Sequence, residues 1–457
     1  MNVLNNPNNH FLSYSDCIKS LLACFCVVYC MSIMGYSSII PLSIIISLSF
    51  VRLSTFGKIV ESLLVLICYF VLFDNDLINM TEYKIRPFYF LVIIGGFIIL
   101  FRRFKHSVIS PFYCIAFSYF VSVTVYFFVT SGSVEQLYIV KFIFFNIGLV
   151  AVLTYLPYKS NFPVLIRRYL QFGLFVGSFA LIQFINNKYF TLFKQERLQH
   201  DWFNVFPSGF FSERTWLSQY MALACLVTFY AYMKQRKSLY LAIGIFFIFI
   251  DMLCVSRSGI IPLLCIVLWV LFPLTQSVSR LKMLFHLFSI VAVILISSFV
   301  FETYFSNEAT ILYEKFNVEH EGIRGRIQAW DLTLARMQDQ NYNFYLGNGF
   351  EWNAYEDSSS IGTAIGAKSA NVFLMYLHIY GVLGLFFICT FALYIIQKYY
   401  HACKSNRSPE LILGFQLFFS FIGLSFFVPF HQYPLGISTL GLSLYILRNF
   451  SAKGKPC

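Results

Sequence analysis

Apolar runs of roughly 18 residues or more recur along this chain from residue 18 to its C-terminal end, and no other feature restricts the fold as tightly. At about 1.5 Å of rise per helical residue, each run can cross about 30 Å of hydrocarbon. The runs do not alternate polar with apolar, as the strands of a membrane barrel would over about 10 residues. In lipid each span must satisfy its own backbone hydrogen bonds, so the spans are helices. The composition agrees. Of the 457 residues, 58% are hydrophobic and 12% charged, whereas a soluble domain carries roughly 25% charged residues. The expected class is therefore an all-α polytopic membrane protein, a single integral membrane domain over residues 1–457.

Spans are expected near residues 18–35, 38–54, 58–73, 88–102, 108–130, 138–157, 164–186, 215–233, 238–256, 259–275, 282–301, 371–397, 409–429 and 436–449, about 14 transmembrane helices. The segments 38–54 and 259–275 are short enough to be tilted or re-entrant. The run after Ile18 follows a polar stretch and has no small-residue cleavage site, so it reads as an uncleaved first span. Twelve cysteines suggest neither disulfides nor a metal, because most fall inside spans and the two longest polar loops contain none. The 55 Phe and 30 Tyr residues are either lipid-facing filler and interfacial belts or a platform for sugars.

Positive charge orients the spans, since Lys and Arg accumulate in short cytoplasmic loops. With the N-terminus inside, the inner loops hold Lys19, Arg52, Lys58, Arg102, Arg103, Lys105, Lys159, Arg167, Arg168, Lys234, Arg236, Lys237, Arg280, Lys282, Lys398, Lys404, Arg407, Arg448, Lys453 and Lys455. Only Asp16, Glu61 and Glu410 accompany them. Skipping one span would scramble this alternation, so both termini are expected to be cytoplasmic. The net charge of +12 is then a signal of topology and does not argue for nucleic acid.

Two outside loops are long: a medium one at 187–214 and a large one at 302–370. The larger contains an amphipathic stretch in which Ile323, Ile327, Trp330, Leu334 and Met337 share one helical face, expected to fold back onto the outer surface of the bundle. Chemistry is therefore expected on the outer face. Arg257, between two spans at that boundary, is the most informative residue, because a charge there is costly unless paired or bound to an anion. Ser256, Ser258 and Gly259 beside it would let a phosphate approach backbone amides at a helix start; the alternative is an arginine snorkelling to headgroups. Glu213 and Arg214 precede another span, as a cap and surface pair or as a base and its partner. Arg324 and Arg326 open the amphipathic helix, four residues before Trp330 in the case of Arg326, as a solvated basic face or as planar donors for a diphosphate. Asp74, Asn75 and Asp76, in an outside loop, read as a turn rather than a metal-binding pair of carboxylates, and His200, His320 and His431 as structural or solvated rather than catalytic. Lys141 and Asp251 are the charges that lie deep in spans. No phosphate-binding loop, zinc-ligand spacing or nucleophile-elbow motif is present, so neither metal nor cofactor is expected.

Over about residues 205–395 the chain resembles the O-antigen polymerase and O-antigen ligase superfamily of bacterial inner membranes. The resemblance rests on SGFFSERTWLSQYMALA, on LCVSRSGIIPLL, and on RGRIQAW followed by FYLGNGF and SANVFLMYLHIYGVLGLFF. It implies a C-type glycosyltransferase-like membrane fold with periplasmic loops at 187–214 and 302–370. It also implies an enzyme joining oligosaccharides carried on undecaprenyl diphosphate. Arg214, Arg257 and Arg324 or Arg326 would then stabilise the diphosphate leaving group, and Glu213 would accept a proton from the sugar hydroxyl. Trp330, Asn371 and His431 would line the substrate site. Ligases of the superfamily show a His-Asn pair where the large loop re-enters the membrane; here Ala370 precedes Asn371, which favours a polymerase. The partners implied are the lipid-linked oligosaccharide, membrane lipids and a chain-length regulator protein. The competing readings are the ligase, with lipid A core as acceptor, and a lipid-linked oligosaccharide flippase or other transporter. The absence of an internal repeat and the size of the outer polar loop weigh against transport.

Overall fold

The computed structural model describes residues 11–34, 78–80, 83–85, 111–131, 162–189, 206–207, 214–271, 372–406, 408–427 and 434–451, with scattered positions between 299 and 347. The elements are α1 (Tyr14–Met34), β1 (Ile78–Met80), β2 (Tyr83–Ile85), α2 (Pro111–Ser131), α3 (Phe162–Lys188), α4 (Arg214–Gln235), α5 (Ser238–Leu253), a 3-10 turn (Arg257–Gly259), α6 (Ile260–Leu271), α7 (Val372–Ser405), α8 (Pro409–Phe427) and α9 (Pro434–Phe450). The described part is helical but for β1 and β2, a short antiparallel ladder pairing Ile78 with Ile85 in a stretch expected as an outer loop. Among the described residues, three helical segments, Phe162–Lys188, Tyr376–Ser405 and Pro409–Phe426, are long and apolar enough to cross a membrane. The spans expected at 38–54, 58–73, 88–102, 138–157 and 282–301 lie outside the described residues, apart from Phe299.

The chain divides into two compact units, Met1–Leu91 with Leu156–Tyr313 and Ser408–Gln416, and Val92–Tyr155 with Glu314–Arg407 and Leu417–Cys457. In the first unit α4 is the central helix. It is apolar around most of its circumference, and Trp216 through Ala231 are all buried, as expected of a helix surrounded by others. It packs on α3, α5 and α6, while α1 packs on α3. Glycines let α3 approach α5 closely: a Cβ at Gly173 would come within 2.8 Å of the Phe247 ring, and one at Gly177 within 2.8 Å of Phe246. Without a hydrophobic drive between helices in lipid, such small-residue contacts carry the packing.

The basic loops gather at one end of this unit. α1 opens on a capping box, the Asp16 N–H donating to Ser13 Oγ at 3.3 Å and the Ser13 N–H donating to Asp16 Oδ2 at 3.0 Å. Arg167 Nη2 donates to Asp16 Oδ1 at 2.6 Å. Lys234 Nζ donates to Glu410 Oε1 at 2.8 Å, and Tyr230 donates to the same oxygen at 3.1 Å. The Leu12 N–H reaches Tyr240 Oη at 3.1 Å. Residues 12–16, 167, 230–240 and 410 thus share one end, which is the grouping that the charge pattern demands.

Burial pulls the Asp16 carboxyl upward, but the hydrogen bonds from Arg167 and Ser13 outweigh it and hold the group below its ordinary 3.8. A depressed carboxyl stabilises the fold above its unfolded value and loses that contribution as pH falls through the folded one. Wild-type protein in detergent is therefore expected to exceed Asp16→Asn by about 1 kcal/mol at neutral pH, given the partly exposed partner. That gap should close below 3.8. A gap that persists in acid would show that the charge of Asp16 is not what stabilises the helix start.

In the second unit α7 packs on α2 and α9. Tyr399 shares a hydrogen bond with Ser443 Oγ at 2.8 Å, and Asn406 Nδ2 donates to the Phe450 carbonyl at 3.1 Å. α7 is not one continuous spiral: Gly381 sits at φ 65°, ψ −169° and breaks it. At the break the Val382 N–H donates to the Phe344 carbonyl at 2.9 Å, so a segment of the large loop supplies the acceptor. Val123, Ile379 and Tyr380 form a buried cluster with Tyr119, Phe120, Leu346 and Tyr376 around that junction.

Candidate functional site

The strongest candidate site lies at the end of the first unit opposite the basic loops. Along α4, Lys234 follows Arg214 by twenty residues, which places roughly 30 Å between them. That is about the thickness of a bilayer's hydrocarbon. Arg214 is the first residue of α4, and its guanidinium lies over the Phe206 ring at 5.1 Å from the centroid, a cation–π contact that steers the head group.

α5 ends one turn below this point. Val255 takes φ 48°, a left-handed conformation unusual for a β-branched residue, whose cost of about 1–3 kcal/mol must be borne by surrounding contacts. Such strain concentrates at functional positions. The chain then turns through Arg257–Gly259 into α6. Ser256 Oγ accepts from the Ser258 N–H at 3.4 Å and lies 2.9 Å from Ser258 Oγ, and the Ser258 hydroxyl donates to the Thr215 carbonyl at 3.4 Å. Thr215 follows Arg214 and Ser258 follows Arg257. One hydrogen bond therefore ties together the backbones from which both arginines project. Partial burial pushes the Arg257 guanidinium below its ordinary pKa, the direction for a cation partly withdrawn from water.

Beneath the turn lies an acid that the sequence marked only as an unassigned deep charge. Asp251 is buried on α5, and Ser218 Oγ on α4 donates to its Oδ1 at 2.6 Å. The same carboxylate occupies the space beside Gly259. A Cβ there would overlap both carboxylate oxygens and come within 2.6 Å of Cγ. The close approach expected at Gly259 for a bound anion is thus taken by Asp251. Cys254, which caps α5, is fully buried.

Of the residues expected to act, the structure ties the Ser256–Gly259 turn that bears Arg257 to the backbone next to Arg214. Trp330 is helical and half-buried in the second unit, and its indole N–H finds no acceptor among the described residues. On the same amphipathic stretch Ile327 is 42% and Leu334 45% exposed, so two members of its apolar face are not covered by the protein. Glu213, Arg324, Arg326, Asn371 and His431 lie outside the described residues, as do Asp74, Asp76, His200 and His320. Sequence reasoning missed Ser218 and Phe206. Ser218 carried a signal, standing four residues after Arg214 on the same helical face.

No family model, curated protein or solved structure matches this chain. What the site does must therefore be argued from its chemistry.

Proposed function

We propose that this chain is a glycosyltransferase of the bacterial inner membrane, an O-antigen or related surface-polysaccharide polymerase. It has about 14 spans in a C-type glycosyltransferase-like arrangement, both termini in the cytoplasm, and its 187–214 and 302–370 loops in the periplasm. The observation that carries the reading is the Ser258–Thr215 hydrogen bond, which draws the Arg214 and Arg257 backbones together. That pair stands a membrane's thickness from the end where Lys234 and Arg167 gather. Two guanidinium groups at the outer boundary suit a lipid-borne diphosphate, whose paired anionic oxygens match the planar, two-pronged donors of arginine.

The reaction follows from that placement. A hydroxyl of the acceptor repeat unit attacks the anomeric carbon of the donor glycan. The bond from that carbon to the diphosphate oxygen breaks, and the electron pair leaves with undecaprenyl diphosphate. Glu213 is the group proposed to take the hydroxyl proton. Negative charge grows on the diphosphate as the bond lengthens, so preorganised cations favour the transition state over the ground state. The test is the purified full-length chain in lipid vesicles, supplied with one undecaprenyl-diphosphate-linked repeat unit and no lipid A core. A product ladder rising by one repeat per rung, with release of undecaprenyl diphosphate, is expected. Intact starting material under all conditions would remove the polymerase reading, and turnover only after lipid A core is added would replace it with the ligase.

A further inference from the structure

We propose that Asp251 is the positioning residue of the arginine turn, a buried carboxylate that holds the 255–259 backbone so that Arg257 is carried beside Arg214. The inference rests on the proposed role of those two arginines but makes its own structural claim. A lone acid inside an apolar helix is expensive and is retained where it does something specific. Here the carboxylate has a single side-chain donor among the described residues, Ser218 Oγ at 2.6 Å. That bond ties α5 to α4 one turn below Arg214. Its other contact is steric. Gly259 has no side chain, so the turn settles directly against the carboxylate, whose Cγ would lie 2.6 Å from any Cβ added there.

The backbone just before the turn needs such a hold. Val255 is buried and left-handed at φ 48°, a conformation that persists only where neighbouring contacts over-determine it. Ser218 on α4 and Gly259 in the 3-10 turn grip Asp251 from two sides, and Ser258 grips Thr215. These contacts fix both ends of Val255–Ser258, and Arg257 projects from the middle. Removing the carboxylate leaves the Ser258–Thr215 bond to hold the turn against α4 without the support of α5. Asp251 itself does not meet substrate in this scheme; it acts through Arg257.

The probe is the accessibility of position 257, read independently of catalysis. Membranes carrying the full chain with Arg257→Cys are treated with a membrane-impermeant maleimide, and labelling of the chain without that substitution is subtracted. Adding Asp251→Ala or Gly259→Ala is expected to change the labelling rate about fivefold, and Ser218→Ala about twofold, in the range of contact couplings. Asp251→Asn keeps an acceptor for Ser218 and nearly the same volume, and is expected to restore the parent rate. Because the Gly259→Ala methyl strikes the carboxylate, it should add nothing on the Asp251→Ala background, a non-additive pair. With Arg257 intact, the same series should lower kcat for polymer formation in the same order, with little change in KM for the lipid-linked donor.

Unchanged labelling in both Asp251→Ala and Gly259→Ala would overturn the proposal. Where Asp251→Ala does not accumulate, Ser218→Ala decides, and a rate equal to the parent's overturns it. Labelling that follows the expected order in a protein that makes no polymer would sustain the positioning role and remove the polymerase reading instead.

Discussion

Replacing Gly381 with alanine is expected to eliminate most of the folded protein from the membrane fraction, the largest stability effect anticipated for any single substitution in the described residues. Gly381 stands at φ 65°, ψ −169°, a region of backbone space occupied essentially by glycine alone. A Cβ there would overlap the Tyr345 carbonyl and come within 2.6 Å of the Gly347 nitrogen. The converse also holds: a Cβ on Gly347, at φ 74°, would overlap the Ile379 carbonyl and lie 2.6 Å from the Gly381 nitrogen. Two backbones are therefore in contact at two glycines, and neither can yield by rotating a side chain.

The same junction satisfies the polar groups that the broken helix exposes. The Val382 N–H donates to the Phe344 carbonyl at 2.9 Å, and the Tyr119 hydroxyl lies 2.7 Å from the Tyr380 carbonyl and 3.3 Å from that of Tyr345. Forcing the two backbones of this contact apart leaves those groups unsatisfied where water is scarce, at roughly 1–3 kcal/mol each. Added to backbone strain of about 1–3 kcal/mol, the loss approaches the whole stability of a typical domain, about 5–15 kcal/mol. Gly244→Ala is the control, because its nearest neighbour would be Thr228 Cγ2 at an ordinary 3.8 Å. Membrane yield and thermal unfolding in detergent check both. A Gly381→Ala protein with the yield and unfolding midpoint of Gly244→Ala would show that the glycine contact is not a structural requirement.

This junction also shows where the sequence stops being legible. Hydropathy located the helices well: the span expected at 164–186 is α3 at Phe162–Lys188, and that at 215–233 is α4 at Arg214–Gln235. Charge alternation anticipated that Asp16, Arg167, Lys234 and Glu410 would share one end, because a local pattern is sufficient when the bilayer acts as solvent. Hydropathy alone does not show the break in α7, since 371–397 reads as uninterrupted apolar helix; the Gly-x-x-Gly turn at Gly381–Gly384 is its mark in the sequence. The acceptor that satisfies the freed Val382 N–H is a carbonyl thirty-eight residues upstream, at Phe344, and no short window of sequence contains both partners. Asp251 was visible as a charge deep in a span but had no apparent purpose, since Ser218 lies on another helix. Gly259 was legible as a close approach, yet the approaching group was assumed to be a ligand and proved to be a carboxylate of the chain itself. Patterns within one helix could be read; pairings between helices could not.

Arg257→Ala is expected to lower polymer formation by about two to three orders of magnitude, the scale for removing one preorganised donor from a developing anion. The residue projects from the turn that the Ser258–Thr215 hydrogen bond ties to the start of α4, beside Arg214. Under the polymerase reading its interaction strengthens as charge moves onto the diphosphate, so its loss should appear in kcat more than in KM for the lipid-linked donor. Arg257→Lys keeps the charge but gives up the planar two-pronged donor, and is expected to fall between the alanine variant and the wild type. The side chain is only partly buried, so both variants should reach the membrane with unfolding midpoints near the wild type's. In a strain lacking the chromosomal copy, the alanine variant should yield surface glycan of a single repeat, while the wild-type plasmid restores the long-chain ladder. A full ladder from Arg257→Ala would take this arginine out of the reaction, and with it the proposed grip on the diphosphate. Loss of activity with KM raised and kcat intact would instead assign the residue to holding the donor equally well before and during bond cleavage.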